Sequence, residues 1–270
     1  MKIKKELTIK EEQQIHLRIL RLFSVLCESE NIQYFAGYGT LLGAVREHGF
    51  IDWDDDIDLW IKRKDIPIFV KNFYKYFDKE KYFLQSYETD KNCLSPEMYR
   101  ICVNNTFKWN ENIHKEMFHT GIYFDIFPLD YGFDNEDDKL YLTEFTKRHA
   151  KLYSNLKLKW SRLQFKEKVI YIYNHLNSRQ NLSRKVREIS DIYTKNPESS
   201  IFVCVPTSYF GYQRCCFNVE DFSSNIMLKF ENMEVSCPVG YERVLCQLYG
   251  EDYMIPKVTK SGRHKAFLIE

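Results

Sequence analysis

The chain has 270 residues, and 39 basic against 38 acidic side chains leave a formal net charge of +1. It therefore carries no bulk electrostatic attraction to nucleic acid or to an acidic membrane surface. With 44% hydrophobic and 29% charged residues it has a globular composition, which excludes disordered, collagen-like and coiled-coil classes. Aromatic residues at 16%, including 19 Tyr and 20 Phe, predict a ring-rich core. No apolar run approaches the roughly 20 residues needed to span a bilayer, and Met1-Lys2-Ile3-Lys4-Lys5 leads into no signal-peptide apolar stretch. The expected place is the cytoplasm, with contact to the inner membrane face at most peripheral. The eight cysteines include no C-x-x-C pair, so buried thiols are expected rather than disulfides or a zinc knuckle.

In chain order, Thr8 and Glu11 form a capping box, and Ile15, Ile19, Leu22 and Leu26 recur at helical spacing, predicting a helix to about Glu28. Tyr34 to Gly37 reads as a short strand, then Gly39-Thr40 leads into a helix-prone Leu41 to Arg46. Asp56 to Ile61 alternates with the period of a strand buried on one face. Asp65-Ile66-Pro67 starts a helix, and strands are expected at Tyr82 to Gln85, Tyr99 to Val103 and Tyr123 to Phe127. Residues 136–198 read as a helical insert. Strands return at Ile201 to Val205 and Met227 to Cys237, with Glu231-Asn232 as a hairpin turn, before a helix from Tyr241 to Tyr249 capped by Gly250. These elements predict a single composite α/β domain, a mixed sheet with packed helices. Residues 1–135 form its core and 199–270 complete the site.

The segment Trp53-Asp54-Asp55-Asp56-Ile57-Asp58 packs four carboxylates into five residues beside aliphatic strand formers. On an extended chain Asp54, Asp56 and Asp58 share one face, and Asp55, Ile57 and Leu59 the other. Carboxylates at that spacing repel one another unless a cation neutralises them, and hard cations such as magnesium, or manganese in its place, take oxygen ligands. The competing reading is an acidic loop facing water. Asp125, inside the apolar run Tyr123 to Phe127, offers a further carboxylate from a second strand, against the alternative of a satisfied Asp at a strand end. Gly39 and Thr40 can present N–H groups and a hydroxyl to a phosphate at a helix start.

Tyr38-Gly39-Thr40-Leu41-Leu42-Gly43-Ala44-Val45-Arg46, Gly49-Phe50-Ile51 and the acidic run closely resemble the signature of the LicD family. Phe124 to Asp130 resembles its second motif, and Leu248-Tyr249-Gly250-Glu251-Asp252-Tyr253-Met254 its C-terminal one. The resemblance implies a nucleotidyltransferase-type core and magnesium-dependent transfer of phosphocholine from CDP-choline, or a related CDP-linked donor, onto a sugar of a surface glycan or lipid-linked oligosaccharide. Asp56 and Asp58 would then be the paired metal ligands, with Asp54 a third and Asp125 a carboxylate from the neighbouring strand. Asp58 or Asp125 is also a candidate base for the acceptor hydroxyl. Gly39 and Thr40 would cradle the diphosphate, and Arg46, Arg263 and His264 are phosphate-contact candidates, against solvated positions. Trp53, Trp60 and Tyr38 are candidates to cage a choline headgroup, against ordinary core packing. The rival activities are transfer of ribitol or glycerol phosphate, true nucleotidyl transfer, and nucleotide binding without chemistry.

Overall fold

Thr8 caps the first long helix: its hydroxyl accepts the Glu11 N–H while the Glu11 carboxylate accepts the Thr8 N–H at 2.9 Å, the reciprocal pairing of a capping box. The computed structural model of the chain describes residues 2–86, 89–90, 99–109, 119–132, 165, 168–169, 172, 201–204, 212–257 and 264–270. Of the expected helical insert only 165, 168, 169 and 172 are among them, and these are helical; the rest lies outside the described residues.

The elements run β1 (Ile3–Glu6), α1 (Ile9–Ser29), β2 (Tyr34–Ala36), α2 (Tyr38–Arg46), β3 (Asp58–Lys62), α3 (Ile66–Tyr76), β4 (Tyr82–Gln85), β5 (Tyr99–Val103) and β6 (Thr106–Trp109). After them come β7 (Tyr123–Tyr131), β8 (Ile201–Cys204), β9 (Cys216–Asn218), β10 (Asn225–Phe230), β11 (Met233–Pro238), α4 (Tyr241–Tyr249) and β12 (Lys265–Ile269). The main sheet has the order β2-β3-β7-β5-β4, with β8 added on β7 and β9 on β8. Among the described residues only its β3–β7 pair is parallel, so the sheet is mixed, as the sequence predicts. A small antiparallel sheet sets β12 between β1 and β6, and β10–β11 form the expected hairpin, with Glu231 at φ +57° in the turn.

Rings fill the core on both faces of this sheet. Phe23 of α1 lies 5.7 Å from Phe69 of α3 and 5.6 Å from Phe124 of β7, which seats both helices on the sheet. Trp60 of β3, fully buried, meets Tyr38 at 5.1 Å and Phe217 at 5.4 Å. Cys27, Cys102, Cys215 and Cys237 are buried free thiols, Cys216 and Cys246 half-buried ones, and burial pushes the Cys237 thiol up to about 12. Among the described residues no helix is long and apolar enough to cross a membrane.

Three expectations are corrected. The acidic strand begins at Asp58 rather than Asp56, because the carbonyls of Asp54 and Asp55 are taken by side chains from α1 and β6 instead of by a neighbouring strand. β7 continues past Phe127 through Pro128 to Tyr131. Its antiparallel partner β5 ends at Ile126 and β8 begins at Leu129, so the residue without an N–H falls in the gap between them. The buried face of α1 also differs. Ile19 and Leu26 are buried but Ile15 and Leu22 only partly so, while Glu12, Gln13 and His16 are buried with Leu17, Leu20 and Phe23.

Candidate active site

β2, the start of α2 and the start of β3 meet at one end of the parallel strand pair. The Gly37 N–H donates to the Asp58 carbonyl at 2.9 Å, and the Thr40 hydroxyl accepts the Asp58 N–H at 2.9 Å. Thr40 is itself buried, so its oxygen fixes where β3 begins. The Asp125 N–H donates to the Ile57 carbonyl at 2.9 Å, and Asp125 is the registered partner of Asp58 across the parallel ladder. Registered residues of neighbouring strands lie about 5 Å apart and share a face. Two acids separated by 67 residues (125 − 58) thus become neighbours.

The alternation expected of the acidic run persists although its first part is not a strand. Asp54, Asp56 and Asp58 are partly exposed, and Asp55, Ile57 and Leu59 are buried. Asp54 lies against α2: a Cβ added at Gly39 would stand 2.6 Å from its Oδ2. Its carboxyl is pushed up to about 8, first by burial and then by Asp56 and Asp55. Asp58 is pushed well up by burial, then by Asp56, Asp125 and Asp54. Asp125 is raised by burial, and Arg100 opposes the rise. Asp56 thus raises all three, and Asp58 feels Asp125 and Asp54 as well.

Arg100 of β5 pairs directly with the site: its Nε and Nη2 donate to the two oxygens of Asp125 at 2.6 and 3.2 Å. Its guanidinium stacks 4.1 Å from the Tyr123 ring centre. Among the described residues no three His, Cys, Asp or Glu side chains are already drawn into a metal-holding group; the acids are neighbours in charge without forming a closed shell.

Residues 31–175, just over half of the chain, match the family model described as LicD/FKTN/FKRP, nucleotidyltransferase domain. The chain is 32% identical over 255 residues to the lipopolysaccharide cholinephosphotransferase LicD of Haemophilus influenzae, spanning 93% of this chain and 92% of that protein. It also resembles an uncharacterised protein of Rickettsia prowazekii, 32% identical over 41% of this chain and 39% of that protein. The chain belongs to the LicD family. By that membership it is an enzyme of the transferase class.

The LicD C-terminal motif meets the same place. Tyr249, in the last turn of α4, has its hydroxyl proton held more tightly by burial and then by Asp58, Asp54 and Asp56, so its phenol lies within the field of the acids. Gly250 closes the helix at φ +94°, a conformation open chiefly to glycine, as the sequence predicts. Arg46, at the far end of α2 from Gly39, donates from Nη1 to the Tyr253 carbonyl at 3.2 Å and pairs with Glu47 at 2.7 Å. That arrangement fastens the segment after α4 to α2. The His264 N–H donates to Asp55 Oδ2 at 3.0 Å, and Arg263 lies outside the described residues. Of the candidate cage rings, Tyr38 and Trp60 are packed in the core, whereas Trp53 is exposed at 38%.

Sequence reasoning missed Arg100, Lys108, Glu12, His16 and Tyr249. Only Tyr249 carried a signal, its place in the C-terminal motif. The contact at Gly39 gives a direct test. A methyl there must turn the Asp54 carboxylate aside, so Gly39→Ala is expected to lower kcat by about 10-fold or more with a near-normal melting temperature. Unchanged kcat in a folded variant would remove Asp54 from the site.

Proposed function

We propose that the chain transfers phosphocholine from CDP-choline to a sugar hydroxyl of a lipopolysaccharide-type glycan with release of CMP, on a nucleotidyltransferase-type core and with magnesium held by Asp54, Asp56, Asp58 and Asp125. The observation that carries the reading is the parallel registry that sets Asp58 beside Asp125, with Asp56, Asp125 and Asp54 all raising the affinity of Asp58 for protons. It is supported by the similarity to the Haemophilus influenzae cholinephosphotransferase over nearly the whole chain.

The donor set fits a hard divalent cation: it is all carboxylate oxygen, and its mutual repulsion is relieved by positive charge. When bound, the cation supplies charge stabilisation to the phosphate under attack and to the departing CMP oxygen. The chain's own residues do the rest. Gly39 and Thr40 stand in the first turn of α2, where backbone N–H groups lack intrahelical acceptors, a position suited to a phosphate oxygen. Arg100 balances the charge of Asp125. Asp58 or Asp125, with raised proton affinity, can accept the proton of the attacking hydroxyl. Trp53 supplies an exposed ring face, and a quaternary ammonium gains about 0.5 to 2 kcal/mol from such a face.

The test is a panel of CDP-choline, CDP-ribitol and CDP-glycerol at equal concentration with magnesium, with and without a glycan acceptor. Faster acceptor-dependent CMP release from CDP-choline is expected. Equal or faster release from an alditol donor would move the assignment to an alditol-phosphate transferase, and release of phosphocholine or of the alditol phosphate, with CMP left on the acceptor, would move it to nucleotidyl transfer.

A further inference from the structure

Behind the acidic loop lies a second set of charged and polar groups that touches none of the reacting atoms. Lys108 of β6, almost completely buried, donates to the Asp55 carbonyl at 2.6 Å and pairs with Asp55 Oδ1 at 3.4 Å and with Glu12 of α1 at 3.1 Å. His16 Nε2, one turn further along α1, lies 3.1 Å from the same carbonyl. A carbonyl oxygen only accepts, so this ring nitrogen carries the hydrogen. Gln13 Nε2 donates to the Asp54 carbonyl at 2.9 Å. The Asp55 carboxylate in turn accepts the N–H of His264 at the head of β12, and β12 pairs with β6, the strand carrying Lys108.

Two successive carbonyls of the loop are thus drawn inward by α1 and β6, while the side chain between them is tied to β6 and to β12. With Asp55 facing inward, its chain neighbours Asp54 and Asp56 face the other way. A loop bearing mutually repelling carboxylates has no reason of its own to hold that geometry. Burying an ammonium, a carboxylate and an imidazole seldom stabilises a fold for its own sake, so the burial here requires another purpose.

We infer that Lys108, with His16 and Gln13, forms a positioning cradle that holds the backbone of Asp54 and Asp55 so that the carboxylates of Asp54 and Asp56 face Asp58 and Asp125. Its consequence for metal affinity rests on the reading of those acids as metal ligands; its consequence for the loop does not. Groups that orient a ligand without touching the metal change affinity or turnover by about 10- to 100-fold when removed.

The test compares wild type with Lys108→Met and, because a lone Glu12 would be left beside the methionine, with the pair Glu12→Gln/Lys108→Met. Hydrogen exchange reads the cradle directly: amides of residues 52–57 should exchange at least about 10-fold faster in the variants while those of β3 and β7 keep their protection. Calorimetric titration with manganese should give a dissociation constant raised about 10- to 100-fold, and kcat should fall more than KM for the donor changes. Lys108→Arg, which keeps the charge and donors, should recover part of both losses. Wild-type exchange across 52–57 in the folded double variant overturns the inference. So does a wild-type manganese constant when wild type itself binds. If wild type binds no manganese, the metal reading fails and the exchange result alone decides the cradle.

Discussion

Asp58→Asn is expected to leave a folded protein with turnover reduced roughly 10²- to 10³-fold. Asp58 is the acid on which the others converge: Asp56, Asp125 and Asp54 all raise its proton affinity, its N–H is fixed by Thr40, and Asp125 is its partner across the ladder. An amide keeps the shape and loses the charge. The stabilisation that a cation lends a phosphoryl displacement is several kcal/mol. Losing about 3 to 4 kcal/mol of it corresponds to that range, at about 1.4 kcal/mol per tenfold. The same change relieves repulsion within the acid cluster, so in chelator the variant should melt at or above the wild-type temperature. A gain in stability with a loss in rate marks a site whose strain serves function. Wild-type CMP release by Asp58→Asn, or a variant that fails to fold, would sink the assignment.

The legible parts of the fold are those with local grammar. The Thr8–Glu11 box, Pro67 at the head of α3, the Glu231-Asn232 turn and Gly250 after α4 are each specified within four residues of sequence, and each is found where the spacing puts it. The acid cluster was legible for a similar reason, since period two sorts Asp54, Asp56 and Asp58 from Asp55 and Ile57 even where the chain is not a strand. What sequence could not show depends on pairing between distant segments. Thr106-Phe107-Lys108-Trp109 reads as an ordinary surface stretch until β12 pairs with it and α1 brings Glu12 to its lysine. The polar buried face of α1 was hidden likewise: the helical stripe through Ile15 and Leu22 marks apolar residues only, while Gln13 and His16 are buried because the acidic loop offers them carbonyls. Arg100 looks like any strand arginine until register sets it opposite Asp125.

Magnesium should stabilise the protein more at pH 8 to 9 than at pH 6, and the sign follows from the acids. Asp54 in the folded chain titrates at about 8 against a usual 3.8, and Asp58 and Asp125 are raised in the same sense. A carboxyl whose folded value is raised contributes stability that is complete below its unfolded value and is lost as the pH climbs through its folded value. Without a cation, the cluster therefore becomes a growing liability between about pH 4 and 8, as protons that screened the repulsion leave. A cation competes with those protons, binds more tightly as they depart, and offsets the repulsion that their loss exposes.

His16 works in the opposite direction: burial lowers it to about 3, so its share of stability is present above about pH 6.5 and is lost as the pH falls toward 3. The quantity compared is the difference between melts with and without magnesium at one pH, so the His16 share cancels and the acids set the trend. A differential of about 2 kcal/mol between pH 6 and 9 would appear as roughly 4 to 8 °C more magnesium-induced stabilisation at the higher pH for a chain of this size. Thermal melts with and without 10-fold excess chelator at both values read it directly, and Asp54→Asn should flatten the difference. Equal magnesium shifts at pH 6 and pH 9 would mean that the cation does not meet these carboxylates.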